Sequence, residues 1–297
     1  MPMSPRLLRP RASGSNIGLQ EAADWQARVV ANGGTVSAET LAAVQQFCLA
    51  IDAAGIRDRF YRLNLFCGEQ LAAALVPLYR AESSTASARG NTTDTNNGPF
   101  VDADYVSTGS TGGLIGNGNS KFLNTGLLAN SIPSTNAHLS VALRTAQTST
   151  NADKTLIGAF STSGALLYAI DGMRTTGNTF GACCFGTYSG GLAGWFGETA
   201  AFGASGPLAV GNITASSITA ASTMYRNGSA TGTTSTFRTD YTVATPIYVF
   251  ANGSGGAAVN ITNARLGGYS IGLGMTQAQA QAYSNAVSAF NTALSRT

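Results

Sequence analysis

Between about Phe100 and Ile271 the apolar residues come in bursts of strand length, such as Leu139-Ser-Val-Ala-Leu143, Leu156-Ile-Gly-Ala-Phe160 and Ile247-Tyr-Val-Phe250. Each is bounded by Gly, Asn, Ser and Thr. Bursts this short, closed off by turn formers, are the pattern of an antiparallel β-sandwich or barrel. Arg226-Asn-Gly-Ser229, after the apolar run Ile218 to Tyr225, reads as a tight hairpin turn. The fold class expected is mainly β: an antiparallel β-sandwich with a small N-terminal helical module and a C-terminal helix.

The flanks carry the helical period. Ala22, Trp25 and Val29 place one apolar stripe on a helix that Asn32-Gly33-Gly34 stops. Ser37 is an N-cap for a second helix, with Leu41, Val44, Cys48 and Ile51 on one face and Gly55 closing it. At the other end Ala280, Tyr283, Val287, Phe290 and Leu294 form a stripe capped by Thr276. The expected organisation is an extended arm over 1–18, a helical docking module over 19–80, a linker over 81–98 rich in Ser, Thr and Asn, and the sandwich with its terminal helix over 99–297.

Only 10% of the 297 residues are charged, against roughly a quarter in an ordinary soluble domain, so the surface is mostly neutral and polar. Of the small net charge of +3, much sits in Arg6, Arg9 and Arg11 of the arm, beside Leu7 and Leu8. No basic stripe with interleaved aromatics crosses a domain, which argues against nucleic acid. No apolar run approaches the length of a membrane span. Met1 to Pro10 is basic but leads into no apolar segment, so a cytosolic origin is expected.

Reactive constellations are sparse. The four cysteines form no CxxC pair and His138 is the single histidine, which leaves no zinc set. Cys48 and Cys67 are compatible with a disulfide or, the favoured reading, with two buried thiols. Asp102 and Asp104 in a strand would share a face as metal ligation demands, yet nothing nearby completes a shell, and solvated turn residues are expected. Asp94, Asp102, Asp104, Asp153, Asp171, Glu198 and Asp240 are scattered singly, whereas a glycosidase needs two carboxyls on one cleft. His138 lacks a Gly-x-Ser-x-Gly elbow and reads as a structural histidine. No catalytic, metal or cofactor residue is therefore expected. Tyr188, Trp195 and Phe196, in a glycine-rich segment, are the candidates for stacking on sugar rings; filling the core is the competing role of Trp195 and Phe196.

Tyr225-Arg-Asn-Gly228, Tyr248-Val-Phe-Ala-Asn252 and Ala264-Arg-Leu-Gly-Gly-Tyr-Ser-Ile271, followed by Thr276 and a helix, resemble the closing strands of laminin-G-like, concanavalin-type jelly rolls. A wider set of segments is similar to a group of tailed-bacteriophage structural proteins in which a helical segment precedes a lectin-like sandwich. That set comprises Arg6-Leu-Leu-Arg-Pro-Arg-Ala-Ser-Gly14, Tyr61-Arg-Leu-Asn-Leu-Phe-Cys-Gly68 with Leu71-Ala-Ala-Ala-Leu-Val-Pro-Leu78, Thr93-Asp-Thr-Asn96 and Gly116-Asn-Gly-Asn-Ser-Lys-Phe-Leu-Asn-Thr-Gly126. The resemblance implies a virion component, either a tail-fibre or tail-tip part or a head decoration. It would work by association with other virion proteins, as a homo-oligomer, with a host-surface glycan as a further partner. Arg6, Leu7, Leu8, Arg9 and Arg11 would dock the arm. The alternatives are a carbohydrate-binding module or a polysaccharide depolymerase on the same fold.

Overall fold

In the computed structural model the bursts are strands of two facing sheets, with a layer of helices over one of them. The structure describes residues 17–80, 90–133, 135–146, 154–161, 166–174, 179–187, 195–197, 209–219, 221–234 and 242–297. The chain opens with α1 (Ile17–Ala31), α2 (Ala38–Ala53), β1 (Phe60–Asn64), α3 (Leu71–Ala74), β2 (Tyr79–Arg80), β3 (Thr95–Asn97), β4 (Tyr105–Val106) and β5 (Gly113–Ile115). It continues through β6 (Phe122–Leu128), β7 (Asn136–Leu143), β8 (Lys154–Phe160), β9 (Leu166–Arg174), β10 (Thr179–Thr187), β11 (Trp195–Gly197) and β12 (Gly211–Ile218). It closes with β13 (Ala221–Arg226), β14 (Ser229–Thr234), β15 (Pro246–Val249), β16 (Asn252–Ser254), β17 (Ala257–Val259), β18 (Arg265–Gly272) and α4 (Gln277–Ala293).

The first sheet runs β14-β13-β12-β7-β18-β1-β2, with β5 and β4 added beside β18. The second runs β11-β10-β9-β8-β15-β6-β3, with β16 lying parallel to β8. Period-two alternation explains the layering. In β7, Ala137, Leu139, Val141 and Leu143 enter the core between the sheets, and Ala142 faces the helices. The helical layer is built on Trp25, Val29, Phe47 and Ile51 from α1 and α2, with Tyr283, Val287 and Phe290 from α4. The expected caps are present: Ser37 accepts from the Thr40 amide, and Thr276 and Gln279 form a reciprocal capping box. The Asn227-Gly228 turn has both residues at positive φ, 50° and 81°, as a two-residue hairpin requires.

The structure corrects the expected boundaries over 60–98. Residues 60–64 and 79–80 are strands of the first sheet, not part of a separate helical module, and β3, within the expected linker, pairs with β6. A bulge between Phe60 and Arg62 sends Phe60 and Leu63 into the helical layer. Arg62 and Asn64 turn the other way. The fully buried Arg62 donates to Asp94 (2.8 Å from Nη2) and to the Tyr269 hydroxyl (2.8 Å), and Tyr269 donates to Asp94 at 2.6 Å. Asn64 donates to the other Asp94 oxygen at 2.8 Å. Burial alone would lower the Arg62 pKa, but Tyr269 and Asp94 outweigh it and raise it. Cys48 and Cys67 are free buried thiols, as favoured, each pushed up to about 12 by burial.

Removing one member of a buried ion pair strands the other in a site with no solvent. Asp94→Ala is expected to lose about 3–5 kcal/mol in denaturant unfolding, and Arg62→Met with Asp94→Leu together to recover part of that loss. A cost below about 1 kcal/mol for Asp94→Ala would mean that the pair is not holding the sheets in register.

Candidate functional site

The described ionisable side chains singled out from sequence are spent on architecture. Asp102 and Asp104 lie in a 3-10 turn, not a strand: Asp102 accepts from the Leu71 amide at 3.1 Å, and Asp104 accepts from the Val101 amide at 2.8 Å and pairs with Lys121. Asp171 accepts from the Thr155 hydroxyl at 2.6 Å. Among the described residues no group of three or more His, Cys, Asp or Glu is placed to hold a metal ion, and no helix is long and apolar enough to cross a membrane.

His138 is fully buried on the helix-facing side of β7, edge-on to Phe60. Its Nδ1 lies 2.7 Å from the Leu273 carbonyl, which can only accept, so Nδ1 carries the proton and Nε2 accepts from Ser270 Oγ at 2.9 Å. Burial pushes the imidazole down to about 4; the bond to Leu273 opposes this and Arg59 adds to it. Such a ring is a structural strut, as expected.

Of the other sequence candidates, Arg6, Leu7, Leu8, Arg9, Arg11, Asp153, Tyr188, Glu198 and Asp240 lie outside the described residues. Trp195 and Phe196 form strand β11 at the edge of the second sheet, opposite Cys184 and Cys183. Only their backbone is described, and the direction of their rings lies outside the described residues.

The structure instead presents a polar cleft that sequence reading missed. It holds about 390 Å³ between α4, the ends of β7 and β12, and the Asn227-Gly228 turn. That volume is at the lower end of small-molecule sites, roughly 300–1,000 Å³. Arg144, Asn212, Asn227, Ser288 and Asn291 supply polar groups, and Ala142 and Val287 an apolar floor. No acidic side chain is among the described residues that line it.

Its walls are fixed. The Asn227 side chain accepts from the Asn212 amide at 2.9 Å, and its carbonyl accepts from Gln281 of α4 at 3.2 Å. A Cβ on Gly228 would come within 2.5 Å of the Gln281 backbone, so the turn reaches α4 only with glycine there. Arg296, fully buried, donates to the carbonyls of Ser107 and Phe66 at 2.8 Å each and pins the chain beyond α4.

Three atoms in the cleft's lining residues are buried and have no hydrogen-bond partner among the described residues: Arg144 Nε, Asn212 Nδ2 and Asn291 Oδ1. Each such atom costs about 1–3 kcal/mol while it stays unpaired. Burial, then Arg296 and Arg265, lowers the Arg144 pKa, so its cation sits among like charges. A sequence signal existed: Ser284, Ser288 and Asn291 recur at helical spacing beside the apolar stripe of α4.

No family model matches this sequence, and no curated protein matches it. Among solved structures, similarity is found to domain 4 of AbnA, a GH43 extracellular arabinanase from Geobacillus stearothermophilus, in complex with arabinotriose. The identity is 16% over 60% of this chain and 79% of that one, with a TM-score of 0.43. Trypanosoma rangeli sialidase is similar at 11% identity and a TM-score of 0.35; 82% of this chain is covered, and the chain spans 39% of that protein's length. What this chain does is read from its own side chains.

The histidine gives a pH test. Above its ordinary pKa of 6.5 it is neutral folded and unfolded; from there down to about 4 only the unfolded chain takes the proton. Stability should therefore fall with pH across that window, by on the order of 3 kcal/mol in total. His138→Gln, which does not titrate, should lose less between pH 7 and pH 4.5 in urea unfolding; equal losses would show that this ring is not the source.

Proposed function

We propose that this chain is a non-enzymatic recognition protein: a lectin-like β-sandwich that binds a host-surface glycan and is carried on a bacteriophage virion, as a tail-fibre or tail-tip part or as a head decoration. The observation that supports this reading is a contrast in how polar groups are used. Among the described residues the buried charges Arg62, Asp94, Asp171 and Arg296 are bound by neighbours, whereas the residues lining the cleft beside α4 include a guanidinium nitrogen and two amide atoms with unmet bonds, next to the hydroxyls of Ser284, Ser288 and Thr292. Paired donors and acceptors over an apolar floor suit a saccharide, which presents hydroxyls and C–H patches. No pair of carboxylates flanks that cleft among the described residues, as hydrolysis of a glycosidic bond would require.

The work is association without turnover. Arg6, Arg9 and Arg11 pair with carboxylates of a neighbouring virion protein while Leu7 and Leu8 insert as apolar anchors. Once an arm is seated, repeated copies on the particle convert weak glycan contacts into avid attachment.

On an array of bacterial surface polysaccharides the full chain is expected to be retained without releasing new reducing ends. Reducing ends that grow with time would make it a depolymerase, and no retention would remove the glycan reading. Deleting residues 1–14 should leave a folded protein that is missing from purified particles. Normal incorporation of that variant would reject docking through the arm.

A further inference from the structure

The cleft beside α4 carries more than a general liking for hydroxyls. Its side-chain charge is positive: Arg144 and Arg296 line it together with Thr297, Arg265 lies near Arg144, and no acidic side chain is among the described lining residues. In a chain with so few charges, three arginines around one cleft form a local field that an anion would feel. The Arg144 backbone amide is bound to the Arg265 carbonyl at 2.8 Å, which holds the base of that side chain in place. Its guanidinium reaches only the Ser110 carbonyl, at a long 3.4 Å, and its Nε has no partner among the described residues. Asn212, 5% exposed, adds a second buried donor without a partner. The opposite wall differs: Ser288 and Asn291 of α4 carry no charge, and Asn291 contributes an acceptor.

From this arrangement we propose that the cleft is a subsite for an acidic sugar, whose carboxylate is taken by Arg144 and Asn212 and whose ring hydroxyls are taken by Ser288 and Asn291 of α4. The proposal rests on the glycan reading above and narrows it to carboxylated saccharides. A carboxylate matches the planar fork of a guanidinium better than it matches an ammonium, so arginine at this position is not interchangeable with lysine. The neutral wall favours a sugar over an acidic peptide, since a peptide's further carboxylates would meet amides and hydroxyls with no cation to pair with.

The test uses the full chain and a panel of uronate-bearing bacterial oligosaccharides, each paired with its carboxyl-reduced derivative, measured by titration calorimetry. The acidic member of a pair is expected to bind at least about tenfold more tightly than its reduced partner. Arg144→Gln should weaken the acidic member at least about tenfold and so remove that difference, with the thermal midpoint unchanged, and Arg144→Lys should restore part of it. Equal binding of acidic and reduced forms, or an unchanged preference in Arg144→Gln, overturns the subsite but leaves the glycan reading standing. Oligoglutamate binding as tightly as the best uronate assigns the cleft to an acidic protein partner instead. No saccharide bound at all removes both.

Discussion

A guanidinium and a carboxylate, shut away from water between two sheets, set the terms for the rest of this fold. Arg62 and Asp94 have fully buried side chains, and an ion pair so placed holds only if its remaining bonds are met. They are: Arg62 also donates to the Asn91 carbonyl, and Asn64 donates to Ala74 O as well as to Asp94. The Asp94 amide itself is held by the Leu75 carbonyl. Every partner is thereby fixed relative to the others. β1 cannot slip along β18 without pulling Arg62 off Tyr269, and β3 cannot leave β6 without moving Asp94.

That network also decides what the N-terminal helices are for. Because β1 and β2 belong to the first sheet, α1 and α2 are stitched to that sheet and do not hang beside it. Trp25 donates to the Val76 carbonyl at 3.1 Å, and Arg28 reaches the Pro77 and Leu78 carbonyls at 3.0 and 2.9 Å. The outer face of the sheet then has to satisfy polar groups away from water. Ser140 meets Thr214 at 3.0 Å, and Ser216 both gives to and takes from the Met275 backbone. His138 completes this row, which is why a neutral imidazole suits it better than a charged one.

What the sequence made legible follows from which signals are local. Ser37, Thr276 and the Asn-Gly turn announce themselves within four residues, because a cap or a tight turn is made by neighbours in the chain. The strand bursts of β7, β8 and β15 are legible for the same reason. The stretch 60–98 was not: a buried arginine, asparagine and aspartate look like surface residues until their partners, Tyr269 among them, arrive from a remote strand. The cleft was hidden in another way. Its walls come from four separate segments, and in a chain this rich in Ser, Thr and Asn the helical spacing of Ser284, Ser288 and Asn291 marks only one of them.

The rigidity of that cleft bears on what it can discriminate. Binding a saccharide immobilises a ligand with many rotatable groups, and a site that must order itself at the same time loses affinity to that ordering. Here the ordering is already done by contacts that the ligand does not touch. Gly228 lets the hairpin close against Gln281, Asn227 ties it to β12, and Arg296 anchors the end of α4 against Phe66 and Ser107. α4 is in turn seated on the sheet through Tyr283 and Phe290, both packed against Phe47 of α2. The distance between the arginine wall and the amide wall is thus set by the three-layer core. A ligand that fits gains its hydrogen bonds without remodelling the fold, and on the proposed reading one without an anionic group leaves the half-buried Arg144 guanidinium with only its long bond to Ser110, a milder form of the constraint that governs the fully buried pair.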